Sequence, residues 1–346
     1  MIYKNIELFG IERMEQVDGC DGLRLWRVTE EGLNNCDPEF PNAQYVMKLL
    51  SSNEMRFVIN SGVCEITIDV YDCEFMERAN AFMYFGEFQF EIQKLHLGRN
   101  VLKVEVPKTI ADYVKTEYSN EHYTSFCPLV ARVMIPYGVV HLVDVVGDIR
   151  PPKPSEVPTK KMLCYGTSIT QGLFASSPAL FYPKILARRL GIDVFNYGFC
   201  GCCMLEKYIC DTIINSNFDM YLLEISVNML NKAKTAKDFA EKAEYLVSKL
   251  IEKGKKVVAI SPLLHYTDIG VYKDVVSTVC SGDDYRKELK AIAEKYACDN
   301  LIFIDGRELV QNFTDLSADL IHPGDYGMIN FALEIEKRVK DKWGNI

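Results

Sequence analysis

The sequence predicts a two-domain protein in which an all-β sandwich precedes an α/β domain built on a parallel sheet. Three observations predict this arrangement: short strand-like segments before position 150, a proline-rich stretch at 151–159, and alternating strands and helices after position 160. A chain of 346 residues also exceeds the usual length of one domain. We therefore expect domains at 1–150 and 160–346, joined by a linker at 151–159.

The first half is typical of a sandwich or jelly roll, because short segments rich in Val, Ile, Phe and Tyr alternate with turn residues. The predicted strands are 23–28, 55–60, 64–71, 81–85, 88–92, 101–106 and 130–135, with turns at 60–62 and 98–100 and a short helix at 42–50. The aromatic residues of 82–90 fit either a sandwich core or a surface on which a sugar stacks. The histidines here, His96, His122 and His141, are expected to be surface or structural residues.

The stretch 151–159 carries four prolines, at positions 151, 152, 154 and 158. Proline stiffens the chain and cannot donate to a strand ladder, so this stretch is expected to be a linker.

The second half repeats a strand followed by a helix. The predicted strands are 162–165, 193–196, 220–225, 256–261 and 301–304, and the helices that follow them are 178–190, 205–214, 236–253, 283–296 and 323–340. Five such repeats predict a parallel sheet with helices on both faces. Gly254 is placed to end the third helix as a C-cap.

Composition excludes some classes of partner. The formal charge of -9, from 39 Lys and Arg against 48 Asp and Glu, argues against a nucleic-acid or anionic-membrane partner. Neither an apolar leader nor a membrane-length apolar run is present, and the twelve cysteines read as reduced thiols, so a cytoplasmic location is expected. A metal site at Cys200, Cys202, Cys203 and Cys210 is an alternative, but the spacing differs from zinc knuckles and no His is nearby. We expect no metal and no cofactor.

Polar residues follow the predicted parallel strands where functional groups gather in such sheets. Ser168 comes after the first strand, Gly201 lies in the loop after the second, and Asn228 follows the third. Asp319 and His322 form an Asp-x-x-His-Pro segment before the last helix. The carboxyl ends of parallel strands share one edge, so these residues are predicted to converge there.

Each residue type suits acyl transfer. Ser168 can attack a carbonyl, His322 can take the hydroxyl proton, and Asp319 can orient the imidazole. The backbone N–H groups of Ser168 and Gly201 and the side-chain amide of Asn228 can stabilise the oxyanion.

The tetrapeptide at 166–169 (Gly-Thr-Ser-Ile), Gly201, Asn228 and the Asp319-x-x-His322 segment resemble, in their order, the conserved blocks of the SGNH hydrolases, also called GDSL-type esterases. The resemblance covers roughly residues 160–340. It implies a flavodoxin-like three-layer α/β/α SGNH domain with a five-stranded parallel sheet. It also implies that Ser168 is the nucleophile, His322 the base, and Gly201 and Asn228 oxyanion donors. With its β domain in front, the chain resembles two-domain carbohydrate esterases that carry an N-terminal jelly roll.

The sequence departs from the family pattern at several points. Thr167 stands where the motif has Asp, and Ser226 and Met229 replace the usual neighbours of Asn228. Gly198 is a second candidate for the oxyanion glycine. This is not the elbow of an α/β-hydrolase, because Thr170 stands where that motif needs Gly and because Asp319 and His322 lie together at the far end of the chain.

Four further residues lie near the predicted site without a clear role. His265 follows the fourth strand, where it either faces substrate or is merely exposed. Tyr182, Glu206 and Tyr266 are further candidates for the pocket lining.

The expected function is a metal-independent serine esterase that removes acetyl or another short acyl group, with a small-molecule or oligosaccharide ester as substrate. The carbohydrate and short-acyl preferences come from the resemblance. Two alternatives are an acyltransferase with the same site and a carbohydrate-binding protein with a vestigial hydrolase site. The sequence carries no information on oligomeric state.

Overall fold

The computed structural model describes residues 1–36, 42–73, 79–118, 125–271 and 279–344. The chain divides into two compact units, one of residues 1–33, 44–159 and 191–193 and one of residues 34–43, 160–190 and 194–346. The domain limits expected from the sequence stay a prediction.

The first unit is built on an antiparallel sheet. Its strands are β1 (Ile2–Tyr3), β2 (Ile6–Phe9), β3 (Arg13–Gln16), β4 (Leu23–Trp26), β5 (Glu54–Cys73), β6 (Asn80–Phe85), β7 (Phe88–Lys94), β8 (Gly98–Glu105), β9 (Val130–Met134) and β10 (Gly138–Arg150). The main path is β3-β4-β10-β5-β9-β6-β7, and β2 and β8 also pair with β5. Short helices lie at Glu30–Asn34, Ala43–Lys48 and Lys108–Tyr113.

Strand β5 joins two regions of this sheet. Its first residues, 54–58, pair with β9, whereas residues 63–70 pair with β8. Side chains such as Phe57, Ile66 and Ile68 are fully buried along its length. The prediction of an all-β architecture for this half of the sequence is thus confirmed.

The turn predicted at 60–62 is wrong, because β5 runs through it without reversing. Gly62 has φ +70°, and the register between β5 and β10 shifts nearby, between Val146 and Asp148 and again before Ile149. The positive φ of Gly62, which the sequence pattern assigns to a turn, is accommodated by a β-bulge within the strand. The turn predicted at 98–100 likewise lies within a strand, β8.

The aromatic residues of 82–90 divide between two environments. Phe82 and Phe85 of β6 are buried, whereas Phe88 and Phe90 of β7 are 43% and 36% exposed. Core packing therefore explains the β6 aromatics.

The second sheet of the protein is a five-stranded parallel sheet flanked by helices. Its strands are β11 (Lys161–Gly166), β12 (Asp193–Gly198), β13 (Met220–Glu224), β14 (Lys256–Ile260) and β15 (Leu301–Ile304), in the order β12-β11-β13-β14-β15. The helices are Ser168–Gln171, Tyr182–Leu190, Lys207–Asn215, Val227–Asn231, Ala236–Glu252, Gly282–Lys295 and Asp325–Trp343. This is the flavodoxin-like order, and it confirms the predicted three-layer α/β/α fold.

The sheet is buried as a parallel sheet between helix layers must be. Tyr221, Leu222 and Leu223 of β13 have no exposed surface. Gly254 follows the helix Ala236–Glu252 with φ +69°, which fits its predicted place beyond the helix end. The last helix begins at Asp325 rather than 323, because Gly324 is its extended N-cap. Within the described residues, no helix has both the length and the apolar composition needed to cross a membrane.

Candidate active site

A tight turn carries Ser168 from β11 into the helix Ser168–Gln171. Thr167 is the extended N-cap, and its hydroxyl accepts a hydrogen bond from the Ile169 N–H at 3.2 Å. A Cβ on Gly166 would lie 2.1 Å from the Thr170 hydroxyl oxygen, so only glycine fits this position. The turn therefore fixes the nucleophile candidate at the carboxyl end of the sheet.

Ser168, His322 and Asp319 form one chain of hydrogen bonds. The Ser168 Oγ lies 2.6 Å from His322 Nε2, and His322 Nδ1 lies 2.6 Å from Asp319 Oδ2. Ser168 and His322 are both buried, at 4% and 8% exposure. The two residues lie 154 positions apart in the sequence, and the parallel topology brings their loops to the same edge of the sheet.

Asp319 is itself held in place by its own loop. Its Oδ1 accepts hydrogen bonds from the Ile321 N–H at 2.9 Å, the His322 N–H at 3.0 Å and the Ser317 hydroxyl at 2.7 Å. Burial opposes ionisation of the carboxyl, but the hydrogen bonds from His322 and Ser317 outweigh it and hold the pKa of Asp319 well below its usual range. An ionised Asp319 binds a protonated Nδ1, which leaves Nε2 of neutral His322 to accept the serine proton.

The three predicted oxyanion donors have no protein acceptor among the described residues. They are the backbone N–H groups of Ser168 and Gly201 and the side-chain amide of Asn228. The Asn228 Oδ1 accepts from the Cys203 N–H at 3.0 Å, which fixes the orientation of the side-chain amide. Unpaired donors of this kind are available to a bound oxyanion.

The loop after β12 is tied to the nucleophile turn at two points. The Phe199 N–H donates to the Gly166 carbonyl at 2.9 Å, and the Cys200 N–H donates to Gln171 Oε1 at 2.8 Å. Gly201 follows with φ +67°, and a Cβ added to it would meet no atom within 4 Å. Gly198, the alternative glycine, has its N–H occupied by Asn196 Oδ1 at 2.8 Å.

Phe174 is a site residue that no sequence pattern predicts. Its ring stacks on His322, with centroids 5.3 Å apart and 27° between the planes, and 39% of the residue is exposed. Its φ of +69° is rare for a bulky residue. Ser176 anchors the same loop, because its N–H and hydroxyl both donate to Asp325, at 2.8 and 2.7 Å. No periodicity or motif at this position signals such a contact.

We expect the backbone strain at Phe174 to separate two substitutions that both remove the ring. At φ +69°, Phe174→Gly should be more stable than Phe174→Ala by about 1 kcal/mol, because a Cβ is disfavoured in the left-handed region. Thermal unfolding midpoints of the two variants measure this difference. A Phe174→Ala variant as stable as Phe174→Gly would show that the loop does not keep this conformation in solution.

His265 is not the exposed loop residue that the sequence suggests as one possibility. It is 2% exposed, its Nδ1 accepts from the Thr267 N–H at 3.3 Å, and burial lowers its pKa to about 4. Tyr182 and Tyr266 are also buried, and the Tyr182 hydroxyl pairs with Thr170 at 2.7 Å. These three buried residues therefore support the site from inside the fold.

The histidines of the first unit have structural surroundings. His141 is fully buried and accepts from Arg24 Nε at 3.2 Å, while His96 Nδ1 contacts the Leu97 carbonyl at 2.9 Å. His122 lies outside the described residues.

The cysteine group after β12 does not form a metal site. Among the described residues, no group of three or more His, Cys, Asp or Glu side chains could hold a metal ion. Burial raises the pKa of the Cys203 thiol well above its usual range and that of Cys210 to about 12. Both thiols therefore stay protonated and act as buried apolar groups.

A serine, a histidine and a carboxylate joined in this order at the carboxyl edge of a parallel sheet define the serine acyl-hydrolase class of site. The chain belongs to the GDSL-like lipase/acylhydrolase family, since the model of that family matches residues 159–340, more than half of the sequence. Among individually curated proteins, none matches the sequence.

Several solved structures share the fold of the whole chain. A salicylyl-acyltransferase from a tetracycline biosynthetic pathway has a TM-score of 0.78 and 17% identity, with 99% of this chain and 97% of that one covered. A family two carbohydrate esterase from Clostridium thermocellum has a TM-score of 0.60 and 12% identity, covering 98% and 100%. An acetyl xylan esterase from the rumen bacterium Butyrivibrio proteoclasticus has a TM-score of 0.56 and 10% identity, covering 99% and 96%. At these identities the likeness shows the fold alone.

Proposed function

We propose that this chain is a serine esterase that hydrolyses small acyl esters through a covalent acyl-enzyme. The observation that carries the proposal is the continuous hydrogen-bond chain from Ser168 through His322 to Asp319, with 2.6 Å at each link. An imidazole within this distance of a hydroxyl can remove its proton as the oxygen attacks.

In the first half of the reaction, Ser168 Oγ attacks the ester carbonyl carbon while His322 Nε2 takes the hydroxyl proton. The tetrahedral oxyanion accepts hydrogen bonds from the Ser168 and Gly201 N–H groups and from the Asn228 amide. Each donor of this kind contributes on the order of 3 kcal/mol to transition-state stability. The imidazolium then protonates the leaving alcohol, and the acyl group remains on Ser168.

In the second half, water takes the place of the alcohol. His322 removes a proton from the water as its oxygen attacks the acyl carbon, and the imidazolium returns a proton to Ser168 Oγ. Asp319 stays ionised throughout, because the pKa of its carboxyl lies well below the usual range. It stabilises the imidazolium in both halves.

The proposed substrate is a short acyl ester, most simply an acetate, on a carbohydrate alcohol. Support comes from the family resemblance and from the fold shared with a family two carbohydrate esterase and an acetyl xylan esterase. The exposed face of Phe174 beside the base adds an apolar surface on which a sugar ring can pack.

A panel of acetylated mono- and oligosaccharides tests the proposal, with released acetate as the measured product. A matched series of p-nitrophenyl esters from acetate to decanoate reports the preferred acyl length. We expect acetate release and a rate that falls with chain length. Failure to hydrolyse any ester of either series would contradict the proposal.

An acyltransferase that uses the same acyl-enzyme is the second candidate. The fold shared with the salicylyl-acyltransferase over 99% of this chain favours it, at a TM-score of 0.78. Product analysis with and without added alcohol or amine acceptors separates the two: hydrolysis gives free acid in both, whereas transfer gives a new ester or amide. A binding protein with a vestigial site, the third possibility, would fail to react with a fluorophosphonate at Ser168.

We expect Asp319→Asn to lower kcat by about 10²- to 10⁴-fold. Asparagine cannot bind both the imidazole N–H and the three donors on the other oxygen, so His322 loses its fixed orientation. Steady-state kinetics on p-nitrophenyl acetate measures the effect. A wild-type kcat for this variant would mean that backbone groups alone orient the base.

A further inference from the structure

Glu224 ends strand β13 directly behind the nucleophile turn, and its side chain is buried at 4% exposure. Its Oε2 accepts three hydrogen bonds, from the Thr167 N–H at 2.9 Å, the Thr167 hydroxyl at 2.7 Å and the Thr170 hydroxyl at 3.0 Å. The backbone of Thr170 adds a further hydrogen bond to the carboxyl. All of these donors belong to the two residues on either side of the Ser168–Ile169 pair.

Among the described residues, no cation forms an ion pair with Glu224 that would offset the charge of its carboxyl. Burial raises its pKa to about 7, against hydrogen bonds from Thr167 and Thr170 that lower it. A buried carboxylate without a counter-ion costs stability that an apolar side chain at the same place would not. The position therefore carries a residue that is poor for stability next to the candidate nucleophile.

The geometry gives this carboxyl a specific task. Thr167 donates both its N–H and its hydroxyl proton to Glu224. These two hydrogen bonds fix the peptide that leads into Ser168. A Cβ on Gly166 would come within 2.8 Å of Glu224 Oε2, so the close contact requires the glycine. With Thr167 held in this way, the next N–H, that of Ser168, has no protein acceptor among the described residues.

We propose that Glu224 is a positioning residue, whose carboxyl holds the 166–170 turn so that Ser168 Oγ meets His322 and the Ser168 N–H is free for the oxyanion. The proposal rests on the proposed function, because it assigns the turn a role in acyl transfer. Glu224 touches no reacting atom and acts through Thr167 and Thr170.

Glutamine matches glutamate in shape but holds the turn less firmly. Its carboxamide oxygen, placed at the Oε2 position, can face the same three donors, but it is uncharged and accepts weaker hydrogen bonds than a carboxylate does. The NH₂ group that replaces the second oxygen cannot accept a hydrogen bond at all. Displacements of the turn near 1 Å would cost about 10²-fold in rate.

The variant Glu224→Gln tests the proposal, with Glu336→Gln as the matched control. Glu336 is also a buried glutamate of the same unit, but it pairs with Arg189 and Lys340. We expect Glu224→Gln to lower kcat for p-nitrophenyl acetate by about 10- to 100-fold, with KM within about twofold of wild type. Glu336→Gln should keep kcat within about twofold of wild type.

Stability should move in the opposite direction to activity in Glu224→Gln. A carboxyl with a raised folded-state pKa binds more protons in the folded chain than in the unfolded one between pH 4.5 and about 7, so its contribution to stability falls as pH rises through that window. Glutamine removes this penalty. At pH 8 the thermal unfolding midpoint of Glu224→Gln should equal or exceed that of wild type.

Two results would overturn the proposal: wild-type kcat in Glu224→Gln, or a loss of kcat accompanied by a lower unfolding midpoint at pH 8, which marks a general structural role. A double-mutant cycle with Thr170→Val gives an independent check. Because both substitutions disturb one hydrogen-bond cluster, the loss of kcat in the double variant, expressed as free energy, should be smaller than the sum of the two single losses. Strict additivity would count against Glu224 acting through Thr170. A failure of the proposed function is distinguishable, since wild type itself would then lack esterase activity.

Discussion

Ser168→Ala should lower kcat for p-nitrophenyl acetate by about 10⁴-fold or more. The substitution removes the only hydroxyl that hydrogen-bonds to His322 in the described structure, so no acyl-enzyme can form. Steady-state kinetics gives the effect, and circular dichroism verifies the fold.

The control for Ser168→Ala is Ser248→Ala. Ser248 is also a buried serine, and its hydroxyl bonds to the Tyr245 carbonyl within the helix Ala236–Glu252. This variant should keep full activity. Turnover by Ser168→Ala within tenfold of wild type, after exclusion of contaminating esterase, would refute the assignment of the nucleophile.

His322→Ala should cost nearly as much, again about 10⁴-fold in kcat. Without the imidazole, no base removes the hydroxyl proton, so Ser168 stays a neutral and weak nucleophile. Because Ser168 and His322 act as a unit, the double variant should be little worse than either single variant.

The control for His322→Ala is His265→Ala, which removes the other histidine of the rim. His265 is buried and bonds to Thr267, not to Ser168. Some loss of stability is expected from the cavity, but kcat should stay far above that of His322→Ala. Equal losses for both variants would mean that the structure assigns the base to the wrong histidine.

The five-stranded parallel sheet and its helices could be predicted from the sequence, because their signals are local and repeated. Continuous apolar strands, amphipathic helices and Gly254 each specify their own element, and the parallel order then follows from connection rules. Ser168 and the Asp319-x-x-His322 segment could be proposed together because each follows a strand or precedes a helix at the same edge of the sheet.

Other features depend on contacts between distant residues. Gly62 marks a bulge in β5 rather than a turn, and only pairing with β10 distinguishes the two. β10 is absent from the predicted strands: Asp144, Gly147 and Asp148 resemble turn residues, yet they lie at register shifts within this strand. Glu224 reads as the end of an apolar strand, because its partners lie 54 and 57 residues away.

Phe174 shows a second kind of limit. Its position over His322 follows from a left-handed backbone and from the anchoring of Ser176 to Asp325, 149 residues later. Propensity favours neither feature, because bulky side chains avoid positive φ.

Direct observation of the acyl-enzyme tests the central claim, that Ser168 carries the acyl group during turnover. Wild-type protein is mixed with excess p-nitrophenyl acetate, quenched in acid within the first turnovers, digested and mapped by mass spectrometry. We predict a burst of p-nitrophenol and a mass increase of one acetyl group on the peptide that contains Ser168, absent from Ser168→Ala. An active enzyme whose acetyl group maps to another residue would contradict this account.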